Sequence, residues 1–115
     1  DTQSKNYWAS ASPFSITSYR AGGTALDLVM KNNDVDQLTL TQVSGSGITT
    51  VATGTVFANG QERTTALVLT ATCGTTGTRY QYANVTFVYT KSTASGSTQT
   101  GLTQVGQLPL TGACA

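Results

Sequence analysis

Between Cys73 and Cys114 lies the run Tyr80 to Thr90, reading YQYANVTFVYT, and its pattern constrains the fold more than any other feature. Ala83, Val85, Phe87 and Tyr89 fall on one face, and Tyr82, Asn84, Thr86 and Val88 on the other. That period of two, with β-branched and aromatic residues throughout, predicts a strand. Asn84-Val85-Thr86 is an N-glycosylation sequon, and its Asn is expected on the face opposite Val85 and Phe87, toward solvent. The two cysteines allow one intramolecular pairing. Closing that loop of about 40 residues stabilises a fold by roughly 4 kcal/mol on the chain-entropy view. Such a bridge implies an oxidising, extracellular setting.

Charged residues are only 10% of the 115, against about 25% in an ordinary domain, so solubility rests on uncharged polar groups. Twenty-three threonines supply them. The six cations, Lys5, Arg20, Lys31, Arg63, Arg79 and Lys91, are scattered along a chain of net charge +1, which argues against nucleic acid as a partner. No stretch is apolar and long enough to cross a bilayer, so this fragment itself has no membrane partner. A chain that opens on Asp1 leads us to expect residues upstream of it.

Strand and turn signals then alternate along the chain. Phe14 to Thr17 is a short strand after Pro13. Ala25 to Lys31 turns Leu26, Leu28 and Met30 inward, and Asn32-Asn33-Asp34 reads as a turn leading to a partner strand at Leu38 and Leu40, making a hairpin. Further strands are expected over Ile48 to Phe57, Thr64 to Thr72 and Gln99 to Val105, with Leu108 and Leu110 returning to the core. Asn59-Gly60 marks a tight turn, and Gly74 to Gly77 and Ser92 to Ser97 mark loops. Residues 1–12 are a polar entry segment, and no helical period is found. The fold class expected is all-β, an antiparallel immunoglobulin-like β-sandwich of about seven strands with one disulfide. Its core is expected to hold Leu26, Leu28, Leu38, Leu40, Leu67, Leu69, Val85, Phe87 and Tyr89.

Inventory limits the chemistry. Without histidine, Ser-His-Asp and Cys-His arrangements and most zinc sites are excluded. A structural disulfide is therefore favoured over a nucleophilic role for Cys73 or Cys114. Asn32, Asp34 and Asp36 have the spacing that opens a calcium loop, but Gln37 and Val43 stand where that loop needs Gly and Glu, so a solvated turn is expected. No catalytic, metal or cofactor site is assigned. Tyr7, Trp8, Tyr19, Tyr80 and Tyr82 are candidates for stacking on sugars, although Trp8 more readily seals the end of a core filled by Phe14, Phe57, Phe87 and Tyr89.

The order of these segments resembles the head domain of archaeal type IV pilins made with class III signal peptides. The likeness lies in Phe14-Ser15-Ile16-Thr17, then Ala25 to Asp34, then Leu38-Thr39-Leu40-Thr41-Gln42-Val43. Gly60-Gln61-Glu62-Arg63, Cys73, Gly77-Thr78-Arg79-Tyr80, Val85 to Thr90, and a last strand with Gly112 and Cys114 continue it. The resemblance implies a non-enzymatic subunit of an extracellular, cell-surface filament that mediates adhesion to surfaces or other cells. Its copies would polymerise through a hydrophobic N-terminal helix that this chain lacks, leaving 1–12 as a linker remnant and 13–115 as the head. The alternative is an independent secreted module that binds glycans through exposed aromatics.

Overall fold

A computed structural model describes residues 2–23, 25–68, 73, 75–93 and 95–114, with backbone alone at 2, 51–53 and 65–68. Among the described residues nine strands follow one short helix: α1 (Thr2–Ala9), β1 (Phe14–Gly22), β2 (Ala25–Asn32), β3 (Gln37–Gly45), β4 (Ile48–Phe57), β5 (Glu62–Val68), β6 (Arg79–Tyr82), β7 (Thr86–Ser92), β8 (Thr98–Val105) and β9 (Leu110–Ala113). One sheet has the order β1-β2-β5, a second β4-β3-β7-β8, and β6 pairs with β9 in a two-stranded ribbon. All pairings are antiparallel. This is an immunoglobulin-like sandwich whose fourth strand has left the first sheet to flank β3.

The core lies between the two main sheets. Leu26, Leu28 and Met30 of β2, and Leu38 and Leu40 of β3, are fully buried, as their alternation predicts. Phe14 joins the layers: its ring meets Phe57 of β4 at 5.2 Å, Tyr89 at 5.5 Å and Phe87 at 6.0 Å, all edge-on. Val85 and Phe87 are buried as expected, and Tyr89 is half-buried. Of the remaining expected core positions, Leu69 and the side chain of Leu67 lie outside the described residues.

Bulges rephase several strands. In β1 the register steps from Ile16↔Met30 to Ser18↔Val29, leaving Thr17 extra, so burial shifts from Phe14 and Ile16 to Ala21. In β3 a shift at Thr41 brings Val43 rather than Gln42 into the core. The pairing of β3 with β4 shifts twice, and that of β7 with β8 once, and each time the extra residue belongs to the outer strand, β4 or β8.

Four expectations are corrected. Residues 2–9 of the polar entry segment form a helix, because Trp8, fully buried, anchors them on the sandwich although α1 is too short to stand alone. The Tyr80–Thr90 run is not one strand. It breaks at Ala83–Val85, where the Ala83 carbonyl accepts from Ser46 N and the Val85 carbonyl from Gly106 N, both at 2.8 Å, so β6 leaves to pair with β9. This break, and a second between β8 and β9, account for nine strands rather than about seven.

Strands β2 and β3 do not make a hairpin either; they lie in different sheets. Asn32 holds this crossover and the one from β4 to β5 together. Its wholly buried amide donates to the carbonyls of Asp36 (2.9 Å), Phe57 (3.1 Å) and Ala58 (3.3 Å), and its Oδ1 accepts from Asp34 N (2.8 Å). Its backbone pairs with Gln61 and Gly60. The two N–H protons of the amide serve three carbonyls, one proton being shared, and Oδ1 completes a set of partners that a hairpin turn would not require. Finally, β8 is mostly exposed, and only Gln104 of its residues is buried.

Candidate functional site

Cys73 and Cys114 are bonded, with Cα atoms 5.8 Å apart. The bridge is reinforced by backbone contacts: Cys114 N donates to Thr78 O at 2.8 Å, and Gly77 N to Cys114 O at 2.9 Å. It ties the end of β9 to the segment leading into β6. No free cysteine is found among the described residues.

Asn84 is exposed, as expected, but it sits in the turn between β6 and β7 rather than on a strand face. Its φ of 56° makes it the one non-glycine among the described residues in the left-handed region, which Asn tolerates better than most types. The Thr86 hydroxyl donates to the Asn84 carbonyl at 3.0 Å.

The aromatic candidates divide. Trp8 is fully buried and Tyr82 nearly so, which removes both from any sugar-stacking surface. Tyr7, Tyr19 and Tyr80 are partly buried against the core. Tyr80 and Tyr82, two residues apart on β6, stack with centroids 4.9 Å apart at 24°. The Tyr80 ring covers Gly112, its cross-strand partner, where an added Cβ would come within 2.6 Å of the hydroxyl. Tyr19 donates its hydroxyl to Thr111 O at 2.9 Å. Burial, with Tyr19 and Tyr82 nearby, pushes the Tyr80 phenol up to about 12. Burial also raises Tyr19, against the opposing pull of the Thr111 contact, and Tyr82.

The spacing that resembles a calcium loop holds a lysine instead. Lys91 Nζ lies 3.2 Å from Asp34 Oδ2 and 3.5 Å from Asp36 Oδ2, while Asp34 Oδ1 accepts from Asp36 N at 3.1 Å. Burial pushes the Asp34 carboxyl up, but the Asp36 amide and the Lys91 ammonium together outweigh it and hold the carboxyl below its usual range. Lys91 is raised, chiefly by its bond to Asp34. Among the described residues no group of three or more His, Cys, Asp or Glu is placed to hold a metal ion.

A shallow cleft of ≈ 250 Å³ separates α1 from β1, walled by Lys5, Asn6 and Ala9 on one side and residues 16–19 on the other. Its polar lining is an ammonium, an amide and the hydroxyl residues Thr17, Ser18 and Tyr19, with no carboxylate or thiol among the lining residues.

Three residues that organise the molecule escape the sequence pattern. Gln104, 8% exposed, accepts from Phe14 N (2.9 Å) and donates to Phe14 O (2.8 Å), so its amide stands in for a strand partner between β8 and β1. Gly106 lies against the Trp8 indole, and a Cβ there would be 2.3 Å from two ring carbons. Lys91 is the third. Hints existed only for Gly106, a glycine shortly after a strand; a lone Gln or Lys carries no signal of its partner.

Compared with family models, curated proteins and solved structures, the chain matches none.

Proposed function

We propose that this chain is the outward-facing head of an archaeal type IV pilus-like filament subunit, an extracellular structural and adhesive domain that does no chemistry. The observation that carries the reading is the way α1 is fastened. Trp8 is buried against Phe87 (6.1 Å between centroids) and Gly106, while the Tyr7 hydroxyl accepts from Gln107 N at 2.9 Å. A helix too short to be stable by itself is thus built firmly into the flank of a disulfide-tied sandwich, as suits the lower end of a longer helix. The segment order that resembles pilin heads, the oxidised cysteines and the threonine-rich surface of low charge support the same reading. The heads coat the filament, and copies associate through the upstream helix.

Placing a hydrophobic segment of about 20 residues ahead of α1 tests this. Filaments with sandwiches on the outside, seen by electron microscopy and absent without the segment, are the expected result. Soluble monomers in both cases would remove the filament reading. With Trp8 and Tyr82 buried, the glycan-binding module is left with Tyr7, Tyr19 and Tyr80, each partly buried against the core.

A further inference from the structure

We infer that Asn84 carries an N-linked glycan, and that the glycan is attached before the chain folds. The first half rests on the sequon together with its placement. Asn84 is exposed at a turn, so a bulky saccharide projects into solvent without displacing any packed side chain.

The second half rests on the two residues that follow. A transferase recognises the Asn together with the hydroxyl two residues on, and must take that stretch into its own site. In the folded protein the stretch is not free. Val85 is fully buried, its carbonyl is held by Gly106 N at 2.8 Å, and the Thr86 hydroxyl is bonded to the Asn84 carbonyl. Thr86 also opens β7, which has neighbours on both sides, Ser44 of β3 and Val105 of β8. Releasing it means parting the first pairs of β7 from both neighbours and drawing Val85 out of the core, so transfer to the folded chain is limited to a rarely populated open state.

The step is a glycosyl transfer from a lipid-linked saccharide. Asn84 Nδ2 bonds to the anomeric carbon, the carbon–oxygen bond to the lipid phosphate breaks, the phosphate leaves with the lipid, and the amide proton passes to a base of the transferase. This requires export past such a transferase but not a filament, so it stands or falls separately from the pilus reading.

The test has two arms. The chain is secreted from a host that has an oligosaccharyltransferase and its lipid-linked donor, beside Asn84→Gln and Thr86→Ala variants, and intact masses are compared. A glycan mass on the unsubstituted chain alone is expected; an unmodified Asn84 overturns the site. In the second arm, purified transferase and donor are offered the folded, oxidised chain and a full-length Leu28→Asp variant verified as unfolded by circular dichroism. Transfer to the folded chain is expected to be slower by the population of its open state, on the order of 10⁻³ or less. Equal rates overturn the order of events.

Discussion

The side-chain amide of Gln104 pairs with the main chain of Phe14, giving and receiving one hydrogen bond each, and so joins the outer strand of one sheet to that of the other. Phe14 is also the ring on which three core aromatics converge. The position of the core's central side chain therefore depends on a polar contact at its margin.

Gln104→Ala strands both Phe14 groups in a buried place and is expected to cost ~2–3 kcal/mol, read as a lower urea midpoint with unchanged slope. Gln104→Glu loses the donor to Phe14 O and sets a carboxylate beside that carbonyl, raising the carboxyl's folded pKa. Its penalty is thus expected to be smaller at pH 4 than at pH 7, since the protonated acid can donate again. A pH-independent penalty would mean that the Glu has swung out to solvent.

Asn32 secures two crossovers, so Asn32→Ala is expected to destabilise by ~2–4 kcal/mol, more than Leu28→Val elsewhere in the same strand. Equilibrium denaturation settles the comparison. Near-neutral behaviour of Asn32→Ala would show that Asp34, Asp36 and the carbonyls of Phe57 and Ala58 find other partners.

Gly106→Ala forces the Trp8 ring to move. A loss of ~1–3 kcal/mol is expected, with Trp8 fluorescence shifted to longer wavelength as the indole meets water. In a Trp8→Ala background the same substitution should cost much less, and that non-additivity is the specific sign of contact.

Acid and alkali act at different places. The Asp34 carboxyl is depressed in the folded state, so its contribution is present above the ordinary aspartate range and is lost as pH falls through its lowered value. With five carboxylates in all, full protonation takes the net charge from +1 to no more than about +6, and the melting temperature is expected to hold down to about pH 3. Lys91→Met should weaken the loss of stability below about pH 3 but leave the part that the Asp36 amide supplies. Tyr80 is raised, so its contribution is complete below the ordinary tyrosine value and is lost as pH climbs through about 12. Absorbance of phenolate should therefore lag behind that of free tyrosine and rise with unfolding; a simple titration near 10 would show the Tyr80 pocket to be open.

What the sequence disclosed was whatever two-residue periodicity and inventory control: the inward leucines of β2 and β3, the buried Val85 and Phe87, the cysteine pair and the exposed Asn84. Periodicity cannot say which strand a strand meets. Asn32 looked like a turn residue because its type suits turns, whereas its role is set by carbonyls from Phe57 and Ala58, some 25 residues away. The break at Asn84 was hidden for the same reason, since Ser46 and Gly106 bind its neighbours from distant loops. The helix is not legible in the sequence because eight residues with a mostly polar composition become helical only when Trp8 has somewhere to go.

The extra residues in β1, β4 and β8 place a kink in three of the four outer strands of the main sheets, and the fourth, β5, carries Glu62 and Arg63 instead. A flat strand from another molecule cannot lie along such a margin. Proteins more often keep neighbours apart by like charge, which brine screens and acid neutralises. Along β1, β4 and β8 the obstacle is shape, which is indifferent to both, so on three of the four margins copies can crowd together in changing media without knitting into one sheet.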